Sequence, residues 1–176
     1  MNTKLLMIIA TYLHVLGVGT YLGGSLVMEL VLGPAQKFIP PAQAMVVGKK
    51  SADRFLVVAW VALGLIASSG VLRLFTQNNE SLLYSGRLVD TEYGRTLLTM
   101  MSLWTVLVIN GLVMTFVLRP RLAGRMQAQT AAGQAEAQLQ SMARAATWVN
   151  RLARADIVII LVVAFLGASL RFGGVV

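Results

Sequence analysis

The sequence predicts an all-α integral membrane protein, a single-domain four-helix bundle with both termini on the outward (periplasmic) side. Three observations carry that expectation. The chain has 176 residues, of which 57% are hydrophobic and only 12% charged, with a mean hydropathy of +0.73. A soluble domain of this size could not hide so much apolar surface. Four apolar runs are each close to the roughly 20 helical residues that cross a hydrocarbon core. Finally, the net charge of +8 is gathered into particular connections.

The first run, about 5–32, follows Lys4. It is too long for the h-region of a signal peptide and has no clear small-x-small cleavage site, so it reads as a retained helix. Gly33-Pro34 ends it. The connection 33–54 carries Lys37, Lys49, Lys50 and Arg54 against Asp53; Pro40-Pro41 punctuates it, and the chain is expected to turn helical before Phe55. The second run spans 55–75. After it, QNNESLLYSGRLVDTEYG is rich in turn formers and nearly balanced in charge.

The third run, 96–118, leaves the membrane at Arg119-Pro120-Arg121. The connection 119–151 adds Arg125, Arg144 and Arg151, with Arg154 just beyond, and is rich in Ala and Gln. Those are good helix formers, so helical extensions joined near Gly133 are expected. The fourth run covers 152–171. Under the positive-inside rule the two basic connections are cytoplasmic, which fits the inner membrane of a bacterium. The same charge suits anionic lipid; no nucleic-acid-binding motif accompanies it.

Chemistry is limited by what is missing. There is no cysteine and a single histidine, His14. Disulfides, thiolate-held zinc, iron–sulfur clusters and hydrolytic triads are therefore excluded within one chain. On a 3.6-residue helix His14 shares a face with Met7, Ala10, Gly17, Tyr21, Gly24 and Met28. This small and polar side should face the bundle. Its glycines either let helices approach closely or clear space for a flat cofactor beside the ring. Matching faces are expected on the second helix (Trp60, Gly64, Ala67, Ser68, with Gly70 close by) and on the third (Met100, Leu103, Trp104, Leu107, Gly111, Met114).

His14 is about nine residues from the outward start of its helix and Met100 about five, similar depths at 1.5 Å per residue. Arg73 and Arg95 fall at the outward rim. Ionisable groups inside a membrane usually face the interior with a partner. For His14 the partner is either a ligand or a hydrogen bond to Ser68, Ser69 or a carbonyl. Glu29 and Asp156 are expected to ion-pair with Arg54, Arg151 or Arg154 at the inner rim, with proton transfer as the alternative role, and Asn110 to bond across to a neighbouring helix. The nine methionines are dispersed, so most read as apolar filler although thioether sulfur suits Cu(I).

Three stretches resemble the copper-resistance D (CopD)-like membrane proteins: LHVLGVGTYLGG, TEYGRTLLTMMSLWTVLVINGLVMTFVLRPRL and RLARADIVIILVVAFLGASL. The HemJ-type oxidases share a related four-helix plan, with a first-helix histidine and a third-helix lysine associated with haem. The lysine position falls on Met100 here, and the tryptophan that often precedes the first-helix glycine is Tyr21. The resemblance implies haem b, or a related redox cofactor for electron transfer, on His14 and Met100; Gly17 and Tyr21 on the His14 face and Arg73 at the rim are the residues expected around it. His/Met ligation is chemically sound for haem. Two alternatives stand beside it. One is copper handling, with Cu(I) received by His14 and nearby methionines. The other is a non-catalytic accessory subunit whose glycine faces pack against partner helices. A homodimer, which alone could supply a second histidine, or a larger membrane complex fits each reading.

Overall fold

The computed structural model describes residues 3–77, 88–119 and 135–176, without the side chains of 135–146. Helix α1, Thr3–Leu26, contains no proline and continues through a π-helical turn at Val27–Leu32 and two short turns ending at Phe38. Helix α2 is Pro41–Thr76. Pro41 stands in its first turn, where a missing N–H deprives the helix of nothing. The expected loop 33–54 is thus largely helical, with Ile39 and Pro40 alone between the two segments. Lys49 and Lys50, which suggested a loop, sit on an extension of α2. Long charged side chains are no obstacle to a helix where it meets water.

Helix α3, Glu92–Leu112, is capped by Thr91, whose Oγ1 accepts from Gly94 N at 3.0 Å. It too ends in a π-helical turn, Val113–Leu118. Helix α4, Ala135–Ser169, closes in a 3-10 turn at Leu170–Phe172. The expected extension before residue 152 is therefore present. The join near Gly133 lies outside the described residues, as do Pro120, Arg121, Arg125 and most of the connection between α2 and α3. All four helices are long and apolar enough to cross a membrane.

The start of α1, the end of α2, the start of α3 and the end of α4 share one end of the bundle, called the terminal end below. Helix α1 packs along α2 and α3 along α4; α1 and α4 join the two pairs, while α2 and α3 touch only lightly. The core is formed by Tyr21, Ala59, Ala62, Leu63, Leu107, Ile160 and Val163. Large apolar side chains such as Val15, Val57, Val61, Phe116, Val158 and Phe165 point outward, as helices solvated by lipid require.

Gly17 explains how closely α1 meets α2. A Cβ there would lie 3.0 Å from the Ile66 side chain and 3.1 Å from the Ala62 carbonyl oxygen. The glycine is consumed by helix packing and clears nothing beside His14. Gly17→Leu is accordingly expected to force the two helices apart and destabilise the fold by about 1–3 kcal/mol. Thermal melting in detergent checks this; an unchanged midpoint would contradict the packing role.

On α2 the inward face is turned from the expected one. Ala59, Ala62, Leu63, Ile66 and Ser69 are buried, whereas Gly64 and Ser68 are exposed and Ser68 bonds back to Gly64 O at 2.8 Å. In a helix apolar all round, small and polar positions do not mark the inside.

The opposite end of the bundle is tied by two ion pairs, Arg154–Glu29 at 2.7 Å and Arg119–Asp53 at 2.8 Å. At the terminal end the chain turns back on α3 through Gly173 and Gly174, whose φ values are 99° and 102°. A Cβ on Gly174 would come within 2.7 Å of Glu92 O, so glycine alone fits. Val175 N and Val176 N then donate to Thr96 Oγ1.

Candidate functional site

The light contact between α2 and α3 leaves a cavity of about 280 Å³ in the terminal half of the bundle. On the other side of its floor the seam is shut by Trp60. That indole lies against Gly111, where a Cβ would stand 3.4 Å from the ring, and its Nε1 donates to Thr115 Oγ1 at 3.2 Å. The π-helical turn at the end of α3 carries this threonine. The cavity is lined by residues of all four helices: His14 from α1; Ile66, Gly70 and Arg73 from α2; Met100, Met101 and Trp104 from α3; Val163 and Arg171 from α4 and its closing turn.

His14 and Met100 thus open onto the same space, as does Arg73. The His14 ring is held through Nδ1, which lies 3.1 Å from Ile66 O and 3.1 Å from Ser69 Oγ. A carbonyl oxygen can only accept, so Nδ1 carries the proton. The Ser69 hydroxyl donates to Leu65 O, leaving its oxygen free to accept from the ring. In the neutral imidazole Nε2 is then the nitrogen with a lone pair. A ring oriented by an N–H···O=C bond is the arrangement a metal-binding histidine requires. Gly70 lies beside the ring, where a Cβ would stand 3.6 Å from it, in ordinary contact. The Met100 sulfur lies opposite Gly167 of α4, where a Cβ would stand 3.6 Å from it, in ordinary contact.

Tyr21 is elsewhere. Its ring tilts against Phe55, with centroids 6.5 Å apart, and its hydroxyl donates to Asp156 Oδ2 at 3.4 Å. Asn110 Nδ2 donates to Asp156 Oδ1 at 2.7 Å. Asp156, only 6% exposed, is therefore held by neutral donors and not by the arginine expected from sequence. Arg154, the nearest candidate, is spent on Glu29. Of the residues proposed from sequence, His14, Met100 and Arg73 share the cavity, while Gly17 and Tyr21 belong to packing and to this second polar cluster.

Sequence reasoning missed Met101 and Arg171 as lining residues. Arg171 lies in the last turn of the fourth span, at the same end as Arg73, and comparing helix ends would have pointed to it. The electrostatics of the cavity are one-sided. Two guanidinium groups line it and, among the described residues, no carboxylate side chain does. Arg73 Nε and Trp104 Nε1 are buried without a hydrogen-bond partner among the described residues. Among the described residues no three His, Cys, Asp or Glu side chains come together as a metal site. A metal here would depend on imidazole and thioether, a donor set that favours Cu(I) over Zn²⁺, Mg²⁺ or Ca²⁺.

No curated protein and no solved structure matches the chain. Residues 49–170, most of the sequence and three of its four spans, match the family described as Copper resistance protein D. The chain belongs to that copper-resistance family of membrane proteins.

Proposed function

We propose that this protein handles Cu(I) as cargo in the cavity between its helices, with His14 and Met100 as ligands and Met101 as the neighbouring thioether. The observation that carries this reading is that His14 and Met100, from separate helices, line one cavity while Nδ1 of His14 is already engaged by Ile66 O. Cu(I) is soft and singly charged. Imidazole and thioether satisfy it without the carboxylates that harder ions demand. The two donor groups are uncharged and sit within a bundle of membrane-crossing length, beside the guanidinium groups of Arg73 and Arg171. The basic end of the bundle faces the cytoplasm in this proposal, and the cavity opens toward the outer half of a bacterial inner membrane.

Anaerobic titration with Cu(I) against a competing chelator tests the site. The wild type should show saturable binding that weakens in Met100→Leu and is lost in His14→Ala. Equal binding by wild type and His14→Ala would overturn the assignment. Haem b on the same pair would instead give the purified protein a Soret band, which the copper account does not require. Orientation has its own test. The chain has no cysteine, so Lys49→Cys gives a single label site. Labelling only from the cytoplasmic face is expected, and labelling only from outside would reverse the topology.

A further inference from the structure

The copper site leaves one ionisable group inside the bundle without a role. Asp156 lies within the membrane-crossing length of α4 and is only 6% exposed. It is two helical turns from Val163 of the cavity, about 10 Å at 1.5 Å per residue, with Leu107 and Ile160 fully buried between. On its other side Arg154 is two residues away, and that side chain is 70% exposed. An exposed guanidinium belongs in water or among head groups, so water comes within one helical turn of the carboxyl at the ion-paired end of the bundle. A carboxylate kept inside a protein for structure is ordinarily paired with a cation. Among the described residues the donors that reach Asp156 are uncharged, Asn110 and Tyr21. The other charges at that end are engaged or exposed. Glu29 of α1 is held by Arg154 and Asp53 of α2 by Arg119, while Arg54 is exposed and Arg151 lies over the Trp148 ring.

The two carboxyl oxygens are held unequally. Oδ1 accepts from Asn110 Nδ2 at 2.7 Å, whereas Oδ2 is 3.4 Å from the Tyr21 hydroxyl. An O–H group bonded to an ionised carboxylate comes much closer, about 2.5–2.7 Å. Oδ2 is thus the oxygen free to carry a proton. We propose that Asp156 is a proton-exchange site of the membrane-crossing bundle, whose Oδ2 takes up and releases a proton toward the ion-paired end. Each state has its partners. With the proton bound, Oδ2 donates to the Tyr21 hydroxyl oxygen and Oδ1 accepts from Asn110 as a carbonyl. With the proton released, the same hydroxyl turns to donate, since a phenol does both. The proton passes to water, and the negative charge stays on the carboxyl. Where the proposal rests on the copper reading, it gives that charge a use. A Cu(I) ion moving inward from the cavity enters an apolar interior, where an unpaired charge is costly. The ionised Asp156 supplies the compensating charge, and reprotonation restores the site once the ion has gone.

The test is an infrared pH titration of the full chain in lipid vesicles, reading the carbonyl stretch of protonated carboxyl groups. The difference between wild type and Asp156→Asn should isolate one band that disappears and returns with pH. Asp156→Asn is expected to fold, because an amide offers a carbonyl to Asn110 and a donor to Tyr21. Tyr21→Phe should shift the frequency and the pH midpoint of the band. No difference band, or one that stays constant over the whole pH range in which the protein melts cooperatively, would overturn the proposal. A band that Tyr21→Phe leaves unmoved would overturn the placement of the proton on Oδ2. Copper is tested separately, by the rate of Cu(I) uptake into the vesicles at a series of pH values equal on both faces. Wild-type uptake should slow as the medium is acidified, and Asp156→Asn should be slow with that dependence lost. Uptake equally fast and equally pH-dependent in the variant would overturn the role of the charge. If the band titrates and Cu(I) is neither bound nor taken up, the copper reading fails and the proton site stands.

Discussion

Asn110→Leu is expected to destabilise the purified protein by about 2–4 kcal/mol, read as a lower melting temperature or a lower denaturant midpoint. The reason is the environment of Asp156. Its carboxyl is buried between α1, α3 and α4, and its short contact is the 2.7 Å bond from Asn110 Nδ2. The other donor, the Tyr21 hydroxyl, is 3.4 Å away, beyond the usual range for an O–H···O bond. Leucine keeps the volume of asparagine approximately and removes the donor, leaving a polar group in an apolar interior with one weak partner.

The sign of the coupling distinguishes this account from simple loss of packing. Adding Asp156→Leu to Asn110→Leu removes the stranded carboxyl, so the double variant should recover part of the lost stability. Losses that simply add would mean that the two side chains do not depend on each other.

His14→Ala is expected to abolish saturable Cu(I) binding, the largest functional effect of any single substitution here. No second histidine and no cysteine exist to replace the ring. Ser69→Ala should have a smaller consequence. It removes one of the two groups that hold Nδ1 and keeps the bond to Ile66 O, so a loss of roughly tenfold in affinity is expected, as is typical when a residue supporting a metal ligand is removed. The order His14→Ala worse than Ser69→Ala is the checkable point, because a purely structural histidine would show its damage in melting temperature and none in copper affinity.

The membrane spans were legible in the sequence because hydropathy and length alone decide which segments can leave water. The inward face of α1 was partly legible for a different reason. Ala10, Gly17 and Tyr21 are buried along the stripe through His14, where small residues interrupt a run of larger ones. Helix α2 offered no such contrast. Its Gly64 and Ser68 resemble an interior face, yet the buried positions are Ala62, Ile66 and Ser69, since lipid tolerates apolar groups on every side of a helix. The extent of α2 was hidden too, because Lys49, Lys50 and Arg54 look like loop and serve equally well on a helix that emerges into water.

The candidate site shows the same division. His14 was conspicuous as the lone titratable ring in an apolar run, and Met100 was singled out by resemblance and depth. The sequence could not reveal that Gly17 is filled by Ile66, or that Tyr21 serves Asp156 and not His14. Both depend on the rotation of α1 against its neighbours, which periodicity leaves uncertain by a residue or more. Unpartnered donors were equally invisible. Arg73 and Trp104 are ordinary residues for a span near its rim, and only the folded chain shows Arg73 Nε and Trp104 Nε1 buried without a partner among the described residues.

The most direct test of the copper account is the X-ray absorption spectrum of the Cu(I)-loaded wild type, recorded anaerobically beside Met100→Leu. Binding at His14 and Met100 predicts a first shell containing both nitrogen and sulfur scatterers, with the sulfur contribution diminished in the variant. A shell without sulfur, or one that Met100→Leu leaves unchanged, would contradict it.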